Sequence, residues 1–320
     1  MSRWHRIYYN TLFGALGGLL GWMLFGEWID ARWNWWMIAL AGGALIGAMI
    51  GYCIASVEAF HDAVLLRFIR FASMGTLLGA MGGALGFWLG ESIHYWLLPS
   101  SGELNWINTA TLIISRALGW GFFGLAVGMS EGLALRSVRL CRFGALGGML
   151  GGALGGAVFG LLMVLWDPSE HSYIWGQALG LIILGACIGL LSALVEQALQ
   201  PACLQVVRGW REGREFRVIK QQNSLGRDEG ADILLLRDMN IAKKHAVISQ
   251  KGHGYVLILQ EGRPEQTLIN STPAYSGQSL KDGDRLQIGA TVLRFKQRKS
   301  MPSQKQSASN GQLTNPQPEG

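Results

Sequence analysis

Charge is scarce in this chain. Asp, Glu, Lys and Arg make up 15% of its 320 residues, against 50% hydrophobic ones, a balance that excludes an ordinary soluble globular protein. Catalytic signatures are lacking as well: there is no HExxH, no phosphate-binding GxxxxGKS or GxxxxGKT, no GxSxG and no pair of membrane-embedded aspartates. Those absences argue against metalloprotease, P-loop, serine-hydrolase and intramembrane aspartyl chemistry. His5, His61, His94 and His171 fall in connections without partners at ligand spacing. The four cysteines, Cys53, Cys141, Cys187 and Cys203, are scattered, giving neither a disulfide framework nor a metal site. We therefore expect no enzyme, no cofactor or metal, and no nucleic-acid partner.

What the chain has is glycine, 45 of them, and long uncharged runs. The runs are Tyr8–Gly26, Trp35–Val57, Phe71–Gly90, Leu104–Ser130 (broken by Arg116), Phe143–Trp166 and Ser172–Val195. Each approaches or exceeds the roughly 20 residues that cross a bilayer as a helix. Six transmembrane helices are expected over residues 1–200. The first run is read as a retained helix rather than a signal peptide, because no small-x-small site precedes Glu27 and a second run follows at once.

Orientation follows from arginine. Arg3, Arg6, Arg67, Arg70, Arg136, Arg139 and Arg142 lie on the side of the N-terminus, whereas the opposite loops offer Arg32 among Glu27, Asp30, Glu91, Glu103, Asp167 and Glu170. Both termini should face the cytoplasm of a plasma or bacterial inner membrane. Trp28, Trp33, Trp35, Trp36, Trp88, Trp96, Trp106, Trp166 and Trp175 gather at the acidic outer side, as in an interfacial belt.

The octapeptides GALGGLLG, GAMGGALG and GALGGMLG begin at Gly14, Gly79 and Gly144, each 65 residues after the last. The helices that follow end at Glu58, Glu131 and Glu196, so the membrane part reads as one helical hairpin used three times. Parallel repeats of this kind relate most simply by an axis along the membrane normal. Gly14, Gly18, Gly79, Gly83, Gly144, Gly148, Gly152, Gly156 and Gly160 leave helix faces without side chains. Such faces suit close helix packing, where lipid supplies no hydrophobic drive. Glu58, Glu131 and Glu196 recur at inner helix ends, where the dipole disfavours an anion unless it is paired. They read either as interface clamps, with Arg67, Arg70, Arg136 and Arg139 as available partners, or as an ion-coordinating ring. Arg116, well inside a span, is read as snorkelling outward or pairing with Glu91 or Glu103.

After Pro201 the pattern becomes short alternating segments such as LQVVRG, REFRVIK, HAVISQ, YVLILQ and TVLRFKQ, separated by turn residues. That is a β-sandwich pattern. LGR at Leu225–Arg227, DILLLRD at Asp232–Asp238, KKHAVI at Lys243–Ile248, TLIN at Thr267–Asn270 and LKDGDRLQIGATVLRF at Leu280–Phe295 together resemble the forkhead-associated (FHA) family in order and spacing. The resemblance implies an eleven-strand sandwich over 201–298 whose loops at one end bind phosphothreonine peptides. It casts Arg227, Lys243 and Lys244 as phosphate contacts and Gly226, His245 and Asn270 as loop-bracing residues. Two departures weaken that grip. Ala242 stands where the family has the serine of Ser-x-x-His, and Glu265 where it has the asparagine of Asn-Gly-Thr. A lost hydrogen bond to a charged group costs about 1.5–3 kcal/mol, or about 10- to 150-fold in affinity.

Residues 299–320, rich in Ser, Gln, Asn and Pro, read as a disordered tail. The fold expected is thus a membrane all-α domain of six helices in three glycine-rich hairpins, followed by an all-β FHA sandwich. The function expected is a membrane-tethered recruiter of a cytoplasmic protein, either phosphorylated on threonine or docked without phosphate, with self-association open. A channel or transporter regulated through the sandwich is the alternative. Topology is directly testable. Single cysteines introduced at Ser101 and Ser169 should react with an impermeant thiol reagent in intact cells and one at Ser303 should not; labelling at Ser303 would reverse the orientation.

Overall fold

The computed structural model describes residues 3–298 except 29–31, 63–64, 98–105, 166–169 and positions 211, 236 and 253. The expected tail, much of the outer loops and the side chain of Glu58 lie outside the described residues. Among the described residues there are six long helices: α1 (Arg3–Trp28), α2 (Trp35–Asp62), α3 (Leu65–Leu97), α4 (Trp106–Ala134), α5 (Val138–Leu165) and α6 (Glu170–Leu199). Five of them, α2 to α6, contain a stretch long and apolar enough to cross a membrane. The sequence led us to expect six spans. The exception is α1, which carries Arg3, His5, Arg6 and Asn10 in its opening turns and Glu27 near its end, shortening its apolar stretch.

The six helices form a closed ring, each packed on its neighbours in the chain and α1 packed on α6. Glycine sets the separations. In the seams α2–α3, α4–α5 and α6–α1, glycines face backbone so closely that an added Cβ would overlap a carbonyl oxygen. Gly47 meets Gly79 in this way, Gly128 meets Gly144, and Gly14 meets Gly185. One turn along, Gly18 lies on Leu181, Gly83 on Gly43 and Gly148 on Gly124, while Gly152 and Gly156 lie on the carbonyls of Trp120 and Arg116. Gly160 is looser, 3.1 Å from the Ile113 Cα for an added Cβ. A second stripe on the odd helices packs within the hairpin: Gly17 on Met49 and Ile50, Gly82 on Ala126, Gly147 on Leu191 and Ser192. Backbones this close gain dispersion and weak Cα–H···O contacts.

Inside the ring the space is filled. Ile46, Ile50, Trp120, Phe123, Val127, Leu181, Leu184 and Ile188, all from the even helices, form one buried cluster with Phe159 of α5. The Trp120 indole meets Phe87, Phe123 and Phe159 edge-on at 5.4, 5.6 and 6.2 Å between ring centres, the geometry aromatic quadrupoles favour. On the side of the ring where the sandwich joins, α4 and α5 connect through a three-residue turn. There Ser137 N–H donates to Gly132 O at 2.8 Å and Arg136 N–H to Leu133 O at 3.0 Å, a Schellman closure with Arg136 at φ 52°, the position glycine usually takes.

The sandwich begins with β1 (Ala202–Arg208), β2 (Glu215–Val218), β3 (Gln222–Gly226), β4 (Ile233–Leu234), β5 (Ala246–Lys251) and β6 (Gly254–Leu259). It continues with β7 (Thr267–Ile269), β8 (Thr272–Pro273), β9 (Gln278–Leu280), β10 (Arg285–Ile288) and β11 (Thr291–Gln297). These make one sheet in the order β2-β1-β11-β10-β7-β8 and a second in the order β4-β3-β5-β6-β9. Alternate residues of the two sheets, among them Leu204, Val206, Leu225, Ile248, Leu257, Leu286, Leu293 and Phe295, interleave as a single apolar core.

Close packing makes a sharp prediction for α5. Gly152→Leu places a side chain where Trp120 backbone lies, and overpacking of this kind costs about 1–3 kcal/mol. The exposed Met149→Leu on the same helix should be nearly neutral. Thermal melting of the detergent-solubilised chain checks both, and an unchanged melt for Gly152→Leu would rule out tight packing at this seam.

Candidate functional site

The expected binding loops converge at one end of the second sheet. Gly226 ends β3, and a Cβ there would overlap the Lys243 carbonyl; glycine is what lets the 242–244 loop lie against the strand end. Arg227 N–H then donates to Ala242 O and Asp228 N–H to Lys243 O, both at 3.1 Å. The Arg227 side chain is half-buried, its guanidinium against the Met239 sulfur, while Lys243 and Lys244 are exposed. Glu261 accepts from Lys244 N–H at 3.2 Å, and Glu265 stands exposed in the turn Pro264–Gln266 before β7. The basic groups therefore share their end of the sandwich with carboxylates.

His245 anchors this loop from beneath and is fully buried. Its Nδ1 lies 3.2 Å from Ala242 N–H, which donates to it, so the proton sits on Nε2 and is donated to Thr267 Oγ1 at 2.8 Å. The Thr267 hydroxyl donates onward to Arg263 O at 3.1 Å. Burial holds the imidazole below its ordinary value of 6.5, with Asp238 pulling weakly the other way. A histidine depressed in this way contributes stability above its unfolded value, lost as pH falls from there toward the folded one. Thr267 was not marked as a bracing residue from the sequence; its place directly before a strand, opposite a buried histidine, was the available signal. Asn270 braces a different place. It takes φ 51° at the other end of β7 and ties to the 284–285 turn, donating to Asp284 Oδ1 at 2.8 Å and accepting from Arg285 N–H at 2.9 Å.

Strand direction fixes which end this is. β3 starts beside Lys220 and Gln221, which flank the helices, and runs five residues away to Gly226, about 15 Å at strand rise. β5 begins at the loop and returns to Gln250, which accepts from Arg139 of α5 at 3.0 Å. Arg227, Lys243 and Lys244 thus occupy the end remote from the helix bundle.

The near end is fastened by four charges. Arg217 of β2 donates to Glu196 of α6 at 3.1 Å and to Glu131 of α4, while Arg6 of α1 donates to the same two carboxylates at 2.7 and 2.8 Å. The side chains of Arg217 and Glu196 are only 10% and 6% exposed. Two of the three recurring glutamates are therefore paired with Arg6 and Arg217. Spacing along the chain offered no signal for Arg217, which reads simply as an outward residue between buried Phe216 and Val218. Arg116 pairs with Glu91 at 2.5 Å and lies over the Phe87 ring at 5.7 Å.

The C-terminal sandwich is an FHA-type domain carried on a helical membrane domain. Residues 205–299 match the family described as the inner membrane component of type III secretion systems, cytoplasmic domain. Among solved structures, the chain is similar to the cytoplasmic domain of the type III secretion sorting-platform protein PscD from P. aeruginosa, with 20% identity over 38% of this chain and 99% of that one, TM-score 0.28. It is also similar to an FHA domain from Chlamydia trachomatis, with 20% identity, 31% and 99% coverage and TM-score 0.28. A third is the N-terminal FHA domain of Rad53p from S. cerevisiae in complex with a phosphothreonine peptide, with 18% identity, 31% and 94% coverage and TM-score 0.27. No curated protein matches the chain.

The clamp is open to test. Arg217→Ala removes a guanidinium bonded to both Glu131 and Glu196, and breaking a buried pair costs roughly 3–5 kcal/mol. Cleavage in the segment joining α6 to β1 during limited proteolysis of the full chain with a protease of broad specificity should accelerate, with Arg217→Lys intermediate. Unchanged cleavage would show that the clamp does not hold the domains together.

Proposed function

We propose that this protein is a membrane-anchored docking component: the helix ring fixes the FHA-type domain at the cytoplasmic face, and the 227–245 loops receive a cytoplasmic protein partner. One observation carries the reading. The sandwich is locked to the helices at one end by Arg217, which leaves the end bearing Arg227, Lys243 and Lys244 directed away from them. An anchor that held the opposite end would bury the loops. The family match supports an inner membrane assembly of the type III secretion kind as the setting, with the partner a cytoplasmic member of that assembly. The apolar cluster filling the ring axis speaks against a conducting path, since solute would have to displace Trp120 and Phe123.

Phosphothreonine is gripped weakly on this reading. Arg227 keeps the planar donor pair that suits a phosphate, but Ala242 supplies no hydroxyl, and Glu261 and Glu265 bring negative charge to the same end. Beside the loops lies a cleft of about 180 Å³ lined by Trp210, Phe216, Leu234 and Leu235, with Arg237 stacked over Trp210 at 5.0 Å. It offers a partner an apolar contact independent of phosphate.

Binding of a phosphothreonine peptide to the full chain should be measurable at low salt and weaken at physiological ionic strength, as expected of exposed charges. Arg227→Ala should abolish it. The double change Ala242→Ser with Glu265→Asn should strengthen it about tenfold or more, on the order of one charge-assisted hydrogen bond. A folded double variant that binds no better would show that partners dock without reading phosphate.

A further inference from the structure

An open groove of about 770 Å³ runs between the start of α5 and the near edge of the sandwich, well away from the 227–245 loops. Arg136, Arg139 and Arg142 line one side, Lys220 the other, and Phe143 and Leu146 continue along α5 below them. No Asp or Glu is among the described residues that line it. The cations are not equally committed. Lys220 is neutralised by Asp232 at 2.6 Å, and Arg139 is steadied by the uncharged Gln250. Arg136 and Arg142 are exposed, and neither has an acidic partner among the described residues.

Two further features narrow the ligand. Phe143 and Leu146 belong to the stretch Val138–Leu165 that is apolar enough to cross a membrane, and Leu146 is 43% exposed. The groove therefore has a cationic mouth at the bilayer boundary and a wall that descends along lipid-compatible surface. Arg136, moreover, holds a left-handed backbone at a turn that glycine would close without strain.

We propose that this groove binds the phosphate headgroup of an anionic phospholipid of the cytoplasmic leaflet, with Arg136 and Arg142 gripping phosphate oxygens and an acyl chain lying along Phe143 and Leu146. Guanidinium groups suit phosphate through paired N–H donors, and basic pockets beside transmembrane helices on this side select such headgroups. Contact with the sandwich at Lys220 would make the lipid a third element holding the domain against the bilayer.

The test uses the purified full chain in detergent and native mass spectrometry with dioleoyl phosphatidylglycerol or dioleoyl phosphatidylcholine at equal concentration. Each free arginine near the surface contributes about fivefold, so a preference for the anionic lipid of about 30-fold is expected. The pair Arg136→Gln with Arg142→Gln should bring the two lipids within about threefold. Arg136→Gly alone should lose about fivefold while melting at the same temperature or higher, because it relaxes the turn; a loss of lipid there cannot be a loss of fold. Equal retention of both lipids by the unaltered chain, or an undiminished preference in the double variant, would overturn the proposal. So would displacement of the lipid by millimolar inorganic phosphate, which would assign the groove to a soluble anion.

Discussion

Everything outside the helix ring is oriented by the contact of Arg6 and Arg217 with Glu131 and Glu196. Two carboxylates brought together from the carboxyl ends of α4 and α6 are unfavourable by themselves, since the helix dipoles add to their mutual repulsion. Arg6 from α1 supplies one balancing charge from within the ring. The sandwich supplies another through Arg217, so docking adds positive charge beside both carboxylates. That coupling gives the sandwich one preferred seating, which van der Waals contact across a small interface would not. It also explains the direction of the strands, with β2 and the start of β3 near the helices and the loop end of β3 turned outward.

Such a clamp needs a rigid base, because a carboxylate that moves by an ångström loses its partner. The glycine seams supply that base. Where Gly47 meets Gly79, or Gly128 meets Gly144, backbone touches backbone and no side-chain rotamer can absorb a displacement. The filled axis works in the same sense. Trp120, Phe123 and Phe159 hold the even helices apart at fixed distance while glycine draws the seams together. A ring built in this way resists the opening and closing that transport would demand.

Much of this fold was legible because its signals are local. Long uncharged runs, and alternation after Pro201 with Leu225–Arg227 and Lys243–Ile248 at their spacing, led directly to helices followed by an FHA-type sandwich. The first helix carries the weakest of the six signals, since its apolar run sits between Arg6 and Glu27. The site was less legible. Gly226 and His245 lie close in sequence to the loop they support, whereas the ion pairs of Arg217 join residues 21 and 86 positions away. Nor does residue type alone tell a bracing asparagine from another: Asn270 serves the turn at Asp284 rather than the loop at His245.

Arginine is used in three ways along this chain, and the difference between them lies in what each guanidinium already holds. Arg6 and Arg217 are buried against two carboxylates and have no capacity left for a ligand, so their role is structural. Arg116 lies within a span and has its charge paired by Glu91, though its Nε is left without a hydrogen-bond partner; an uncompensated charge at that depth would be costly. Arg227 faces only a methionine sulfur, and Arg136 and Arg142 face no acid among the described residues. These cations stand at the two ends of one fastened domain. The far end is turned away from the helices and the near end lies against them. On the readings proposed above, Arg227 and the pair Arg136 and Arg142 serve different ligands, while the fixed pairs between them keep the two surfaces apart.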